Sequence, residues 1–97
     1  MPQFIVRVEL QNATPEDYDL LHDAMFDEDF YKIIKDNTTE KYYRLPTAEY
    51  NYVGDIDDRD TILTKAERAT IKTNRKHSIL VTKSAGILFT GLDELRS

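Results

Sequence analysis

Apolar and polar positions alternate through the first ten residues. Phe4, Val6, Val8 and Leu10 fall on one side of an extended chain and Gln3, Ile5, Arg7 and Glu9 on the other, the period-two pattern of a strand with one apolar face. The period changes after Asn12-Ala13-Thr14-Pro15-Glu16-Asp17. Thr14 suits an N-cap, Pro15 suits the first helical position, and the acids that follow complement the positive end of a helix dipole. Tyr18, Leu21, His22 and Met25 then recur at helical spacing, predicting a first helix to about Phe26.

The centre reads as extended. Phe30-Tyr31-Lys32-Ile33-Ile34-Lys35 predicts a short strand, 36–40 a turn, and Lys41-Tyr42-Tyr43-Arg44-Leu45 a second run. Pro46 cannot donate to a ladder and implies an edge, a bulge or a bend before the strand resumes over 48–53. A second helix follows, capped by Asp57 or Asp58, with Ile62, Ala66, Ala69 and Thr73 as its buried stripe and an end near Asn74. Residues 78–82 predict the last strand, and Ile87-Leu88-Phe89 a short extension or an arm toward a second copy. The order is β-α-β-β-α-β in a single domain, 1–97. Right-handed crossovers make this an α+β, ferredoxin-like two-layer sandwich: a four-stranded antiparallel sheet with two helices on one face. The other sheet face is left open to a protein partner or a homodimer.

Composition narrows the chemistry. Ninety-seven residues, 40% hydrophobic and 32% charged, suit one soluble domain. No apolar run approaches the ~18 residues of a membrane span. The start has no basic region leading into a long apolar stretch, so a cytoplasmic location is expected, and Asn37-Thr38-Thr39 carries no weight as a glycosylation signal. The absence of cysteine excludes disulfides and thiolate chemistry, and with two histidines no metal site or cofactor is expected. The net charge of −5 is unevenly spread. Residues 1–30 hold eight acids against Arg7, whereas 61–83 hold Lys65, Arg68, Lys72, Arg75, Lys76 and Lys83 against Glu67.

Three groups of residues could carry function. On a helical wheel Lys65, Arg68, Lys72 and Arg75 lie within about 80° of one another. With Lys76 they form either a phosphate-binding stripe or a solvated helix face. Tyr31, Tyr42, Tyr43, Tyr50 and Tyr52 cluster in the central strands, where rings on the open face could stack on bases or simply pack. His22 shares a helix face with Tyr18 and Met25 and reads as a packed residue at the core's rim. His77, beside Arg75 and Lys76, is better placed to touch an anion. Pro2 admits two readings. MPQFIV resembles the start of the tautomerase superfamily, whose N-terminal proline is a base; otherwise Pro2 begins a strand where no N–H is needed.

The stretches FIVRVELQNATPEDYDLLHDAM, YYRLPTAEY and HSILVT resemble the GhoS-type family, small ferredoxin-like antitoxins of type V toxin–antitoxin pairs. The resemblance implies an RNA-binding endoribonuclease that cleaves the messenger of a small membrane-damaging toxin. In a CRISPR-associated nuclease-like subunit of similar fold an acidic residue closes strand one, and Glu9 holds that position here. Metal-independent RNA cleavage needs a base for the 2′-OH and cations for the phosphorane. Arg7, Tyr43, Arg44 and His77 are the candidate members. The acidic run Asp27-Glu28-Asp29 departs from an RNA-binding surface, since it repels phosphate. A non-enzymatic interaction module of prophage or mobile-element type is the rival expectation.

Overall fold

The computed structural model describes residues 1–95. Its elements are β1 (Gln3–Leu10), α1 (Pro15–Asp27), β2 (Ile33–Lys35), β3 (Tyr42–Arg44), β4 (Glu49–Val53), α2 (Arg59–Thr70) with a 3-10 turn (Ile71–Thr73), and β5 (His77–Lys83). The fold is α+β. β1 is the middle strand of an antiparallel sheet ordered β4-β1-β5, and β2 and β3 form a separate antiparallel hairpin.

The alternation in β1 decides the layering. Phe4, Val6 and Val8 are completely buried and Leu10 nearly so. Tyr52 and Tyr50 of β4 sit opposite Phe4 and Val6, and Val81 and Ile79 of β5 sit opposite Val6 and Val8, on the same face. Leu21, Ala24 and Met25 of α1 and Ile62, Ala66 and Ala69 of α2 close over that face. Alanine at two of the three α2 contact positions lets the helix backbone lie close to the sheet.

The helix ends follow the sequence. Thr14 forms a capping box with Asp17, each side chain bonding the other's backbone N–H. Asp58, one of the two expected caps, accepts from Thr61 N–H at 2.8 Å. Asn74 ends the 3-10 turn in the left-handed region, at φ 56°, a conformation that asparagine tolerates.

The central segment differs from the expected four-stranded sheet. The chain before β2 meets β4 at one bridge, Tyr31 with Asn51, whose N–H and C=O groups exchange two 2.8 Å bonds. Beyond it the ladder stops. Lys32 turns its ammonium onto the carbonyls of Pro46, Thr47 (3.0 Å) and Glu49 (2.6 Å). The Asn51 side chain donates to Ile33 C=O at 3.2 Å and accepts from Gln3 Nε2 at 2.8 Å. Side chains therefore satisfy backbone groups that a continuing strand would have paired. Pro46 opens the turn into β4, its C=O accepting from Glu49 N–H at 2.9 Å, so the chain bends there.

The C-terminal segment completes the hairpin's far edge. Arg44 N–H donates to Asp93 C=O at 2.9 Å and Leu95 N–H to Tyr42 C=O at 2.8 Å. Of the expected extension, Phe89 packs edge-on against Tyr43 with centroids 5.1 Å apart, while Leu88 is fully exposed. Among the described residues no helix is long and apolar enough to cross a membrane.

Gly54, just past β4, lies against the Tyr52 ring. A Cβ there would stand 2.4 Å from Tyr52 Oη and 2.7 Å from Cζ. That hydroxyl accepts from Ile56 N–H at 3.1 Å, and the ring is wedged between Phe4 and Phe30. Gly54→Ala is expected to displace the ring and destabilise the fold by about 1–3 kcal/mol. The urea midpoint should fall with an unchanged m-value.

Candidate functional site

A buried phenol organises the site. Tyr50 projects from β4 into the core and is completely inaccessible, so its hydroxyl needs a partner inside the fold. It finds Nδ1 of His22, on α1, at 2.5 Å. Burial raises the phenol's pKa far above its ordinary value, so Tyr50 keeps its proton and donates it. Nδ1 is then the acceptor, and the imidazole's own proton sits on Nε2. Burial, followed by nearby Lys32, lowers the pKa of His22 against the opposing pull of Asp19 and Asp23. Near neutrality His22 is thus an uncharged ring that offers an N–H.

Lys32 lies beside it. Its Nζ stands 4.7 Å from the centroid of the Tyr50 ring while donating to the three carbonyls at the bend. Burial lowers its pKa to about 8, with Glu49 opposing and Arg44 assisting the shift. At pH 7 it remains an ammonium whose protons are all used. Lys32 therefore contributes positive charge to its surroundings but no free donor.

His22 and Lys32 together line two cavities. One, of about 370 Å3, is completed by Ile33, Arg44, Leu45, Thr47 and Leu95. The other, of about 320 Å3, is more apolar and is walled by Asp23, Phe26, Phe30, Tyr31 and Ile33. Arg44 is exposed, and among the described residues no carboxylate forms an ion pair with it. The larger of the two cavities is lined by exposed Arg44, by His22 and by the half-buried Lys32, with no acid in its lining. Such a set can hold an anion of phosphate size.

The other residues singled out in the sequence lie elsewhere. Arg7 and Glu9 are on the sheet face away from the helices, where Arg7 bonds Glu9 at 2.6 Å and Glu49 at 3.0 Å. Tyr43 packs on Phe89. His77 is on the helix-facing side of β5, opposite Leu10, with Nδ1–H donating to Arg75 C=O at 2.9 Å. The five candidate catalytic residues thus occupy four places, of which only that of Arg44 adjoins the His22 cavity. Tyr50 and Tyr52 face the helices, so they present no rings on the open face. Tyr31 packs edge-on against Phe26. Pro2 precedes β1, and its carbonyl accepts from Gly54 N–H at 3.2 Å.

The basic stripe is largely spent within the fold. Arg68 makes a two-pronged bond to Glu28 at 2.8 and 2.9 Å. Lys65 lies 3.5 Å from Glu28 and 3.7 Å from Asp29, and Arg75 donates to Asp17 at 2.8 Å. Only Lys72 and Lys76 have no ion-pair partner among the described residues. Glu28 and Asp29 of the acidic run, which would have repelled RNA, neutralise Lys65 and Arg68, and Asp17 takes Arg75. No group of three or more His, Asp or Glu side chains among the described residues could hold a metal ion. Sequence reasoning passed over Lys32 and read His22 as packing. No local pattern marks either, because their partners come from the bend at Pro46 and from β4.

Compared with known proteins, the chain matches no family model, no curated protein and no solved structure.

The Lys32 arrangement has a pH signature. Its folded pKa is about 8, below the ordinary 10.5, so between these values the unfolded chain binds more protons than the folded one. The Lys32 contribution to stability should therefore rise with pH across that window. Urea unfolding of the wild type and Lys32→Met should show their difference moving in the wild type's favour from pH 8 to 10.5.

Proposed function

We propose that the chain is a GhoS-like RNA-binding protein that grips a phosphate of single-stranded RNA in the cavity between α1 and the hairpin. One observation carries this reading: Arg44, His22 and Lys32 line one cavity whose lining holds no carboxylate. The α2 stripe is not the contact surface, since Lys65, Arg68 and Arg75 already serve Glu28, Asp29 and Asp17. We propose binding without cleavage. Strand scission needs a base for the 2′-OH, and in His22 Nδ1 is taken by the Tyr50 hydroxyl while Nε2 carries the ring proton.

We also read the topology as a ferredoxin-like sandwich with its second strand shortened to one residue pair. Two features support this. The strands run β5-β1-β4, and Tyr31 adds the next position outward through its antiparallel bridge to Asn51. An RNA-binding role as the antitoxin of a toxin–antitoxin pair would follow from the GhoS-like resemblance.

A second reading, a non-enzymatic protein-interaction module, is favoured by the open sheet face. Arg7, held between Glu9 and Glu49, is bordered there by Ile5 and by the well-exposed Leu80, and exposed Val53 lies further along the same face, opposite Gln3. This mixed surface suits a protein better than a polyanion.

Titration of labelled single-stranded RNA across a salt series separates the two. On the RNA reading, affinity falls steeply with salt, and Arg44→Ala weakens binding about tenfold or more and lowers the log–log salt slope by about one. Lys72→Ala should have a smaller effect, and the RNA should be recovered at full length. Absence of salt-dependent binding, or equal affinities for wild type and Arg44→Ala, would reject the cavity as an RNA site.

A further inference from the structure

We propose that two copies of this chain associate edge to edge through β5, antiparallel, about a two-fold axis at Leu80. The backbone supplies the first reason. In the β1–β5 register, Gln11 N–H donates to Lys76 C=O and Ser84 N–H to Gln3 C=O, each at 2.8 Å, so the even-numbered residues of β5 turn their backbone groups toward β1. The N–H and C=O groups of His77, Ile79, Val81 and Lys83 therefore point away from the sheet. No backbone group of the described chain bonds to them. Seven residues of open edge, without a proline or a bulge and with a lysine only at the end, is a long strand to leave unprotected.

The edge is also complementary to itself. An antiparallel partner centred on Leu80 sets Ile79 against Val81, His77 against Lys83 and Ser78 against Thr82. The first two are pairs of residues whose backbone groups face outward, so the register forms ladder bonds along its whole length. A shift of one residue would oppose inward-facing groups and form none. Leu80, 62% exposed in the middle of the strand, meets its own copy on the open face. On the helix side a cavity of about 260 Å3, lined by Leu63, Glu67, His77 and Ile79, lies where the partner's Val81 and Lys83 side chains arrive.

Charge fits the same register. His77 donates Nδ1–H to Arg75 C=O, so the neutral ring presents Nε2 as an acceptor. The incoming lysine ammonium from position 83 thus meets an imidazole acceptor and the Glu67 carboxylate, while its own protomer supplies Asp57. At the opposite edge the bridge at Tyr31 and the Lys32 bend already cover β4, so pairing closes as a dimer instead of running on as a fibre. The His22–Arg44 cavity lies on that far side, which makes the dimer independent of the RNA reading. One strand pair is small beside a standard interface of roughly 1,600 Å2. A concentration-dependent dimer is therefore expected.

Sedimentation equilibrium from micromolar to millimolar protein tests this. The weight-average mass of the wild type should rise from one chain toward two. Leu80→Lys and Leu80→Glu, at a position exposed enough to leave the core intact, should each stay monomeric, and their equimolar mixture should regain the dimer. Amide exchange offers a check without substitution: Ile79 and Val81 should slow with increasing concentration while Leu80, already bonded to β1, should not. A wild type that stays monomeric throughout, a dimer that both substitutions leave intact, or concentration-independent exchange at Ile79 and Val81 overturns the proposal.

Discussion

The burial of one face of β1 holds the molecule together. Phe4, Val6, Val8 and Leu10 belong to one buried cluster with residues of both helices, and the same strand carries the ladder to β4 on one side and β5 on the other. A one-residue slip would put Ile5, Arg7 and Glu9 under the helices and the apolar set in water. The Arg7–Glu9–Glu49 cluster on the opposite face is therefore as much a consequence of register as the core itself. Its charges are acceptable only on the solvated side.

Charge distribution in the folded state runs against first impressions of the chain. A basic helix beside an acidic one looks like a binding surface in a linear sequence, yet the two pack against each other and their opposite charges meet at the seam. Glu28 is the hub. Arg68 bonds it from both prongs, Lys65 approaches from the side, and the carboxyl pKa falls, chiefly through the Arg68 bonds. Arg68 is more than half exposed, so its pair contributes little stability by itself. The pairs bridge α2 and the end of α1, and they remove those cations from the inventory available to a ligand.

The hairpin and its cavity arise from a ladder that is cut short. A fourth strand continuing past Tyr31 would have met the Glu49 carbonyl with a backbone N–H. The Lys32 ammonium meets it instead, together with the carbonyls of Pro46 and Thr47, and the chain folds on as β2 and β3. The gap between this hairpin and α1 is the cavity, with the buried Tyr50 hydroxyl fixing the tautomer of His22 at one wall and Arg44 at another. Loss of sheet regularity and gain of a polar concavity are here one event, which matches the general observation that irregular backbone accompanies ligand sites.

The sequence by itself determined the two helices with the strands that open and close the chain, the cap at Thr14, the helix end near Asn74 and most of the buried stripe of α2. Each of these depends on residues within a few positions of one another, where period and capping chemistry act directly. Pro46 likewise announced a break in the central strands. Only the tertiary structure decided how far that break reached, which cations remained unpaired, and that His22, Lys32 and Arg44 share a cavity. Those outcomes depend on distant segments meeting: Glu28 with Arg68, Lys32 with the carbonyls after Pro46, Tyr50 with His22. A charge or a donor is free or spent according to its neighbours in space, and those neighbours are fixed only once the core has chosen its register.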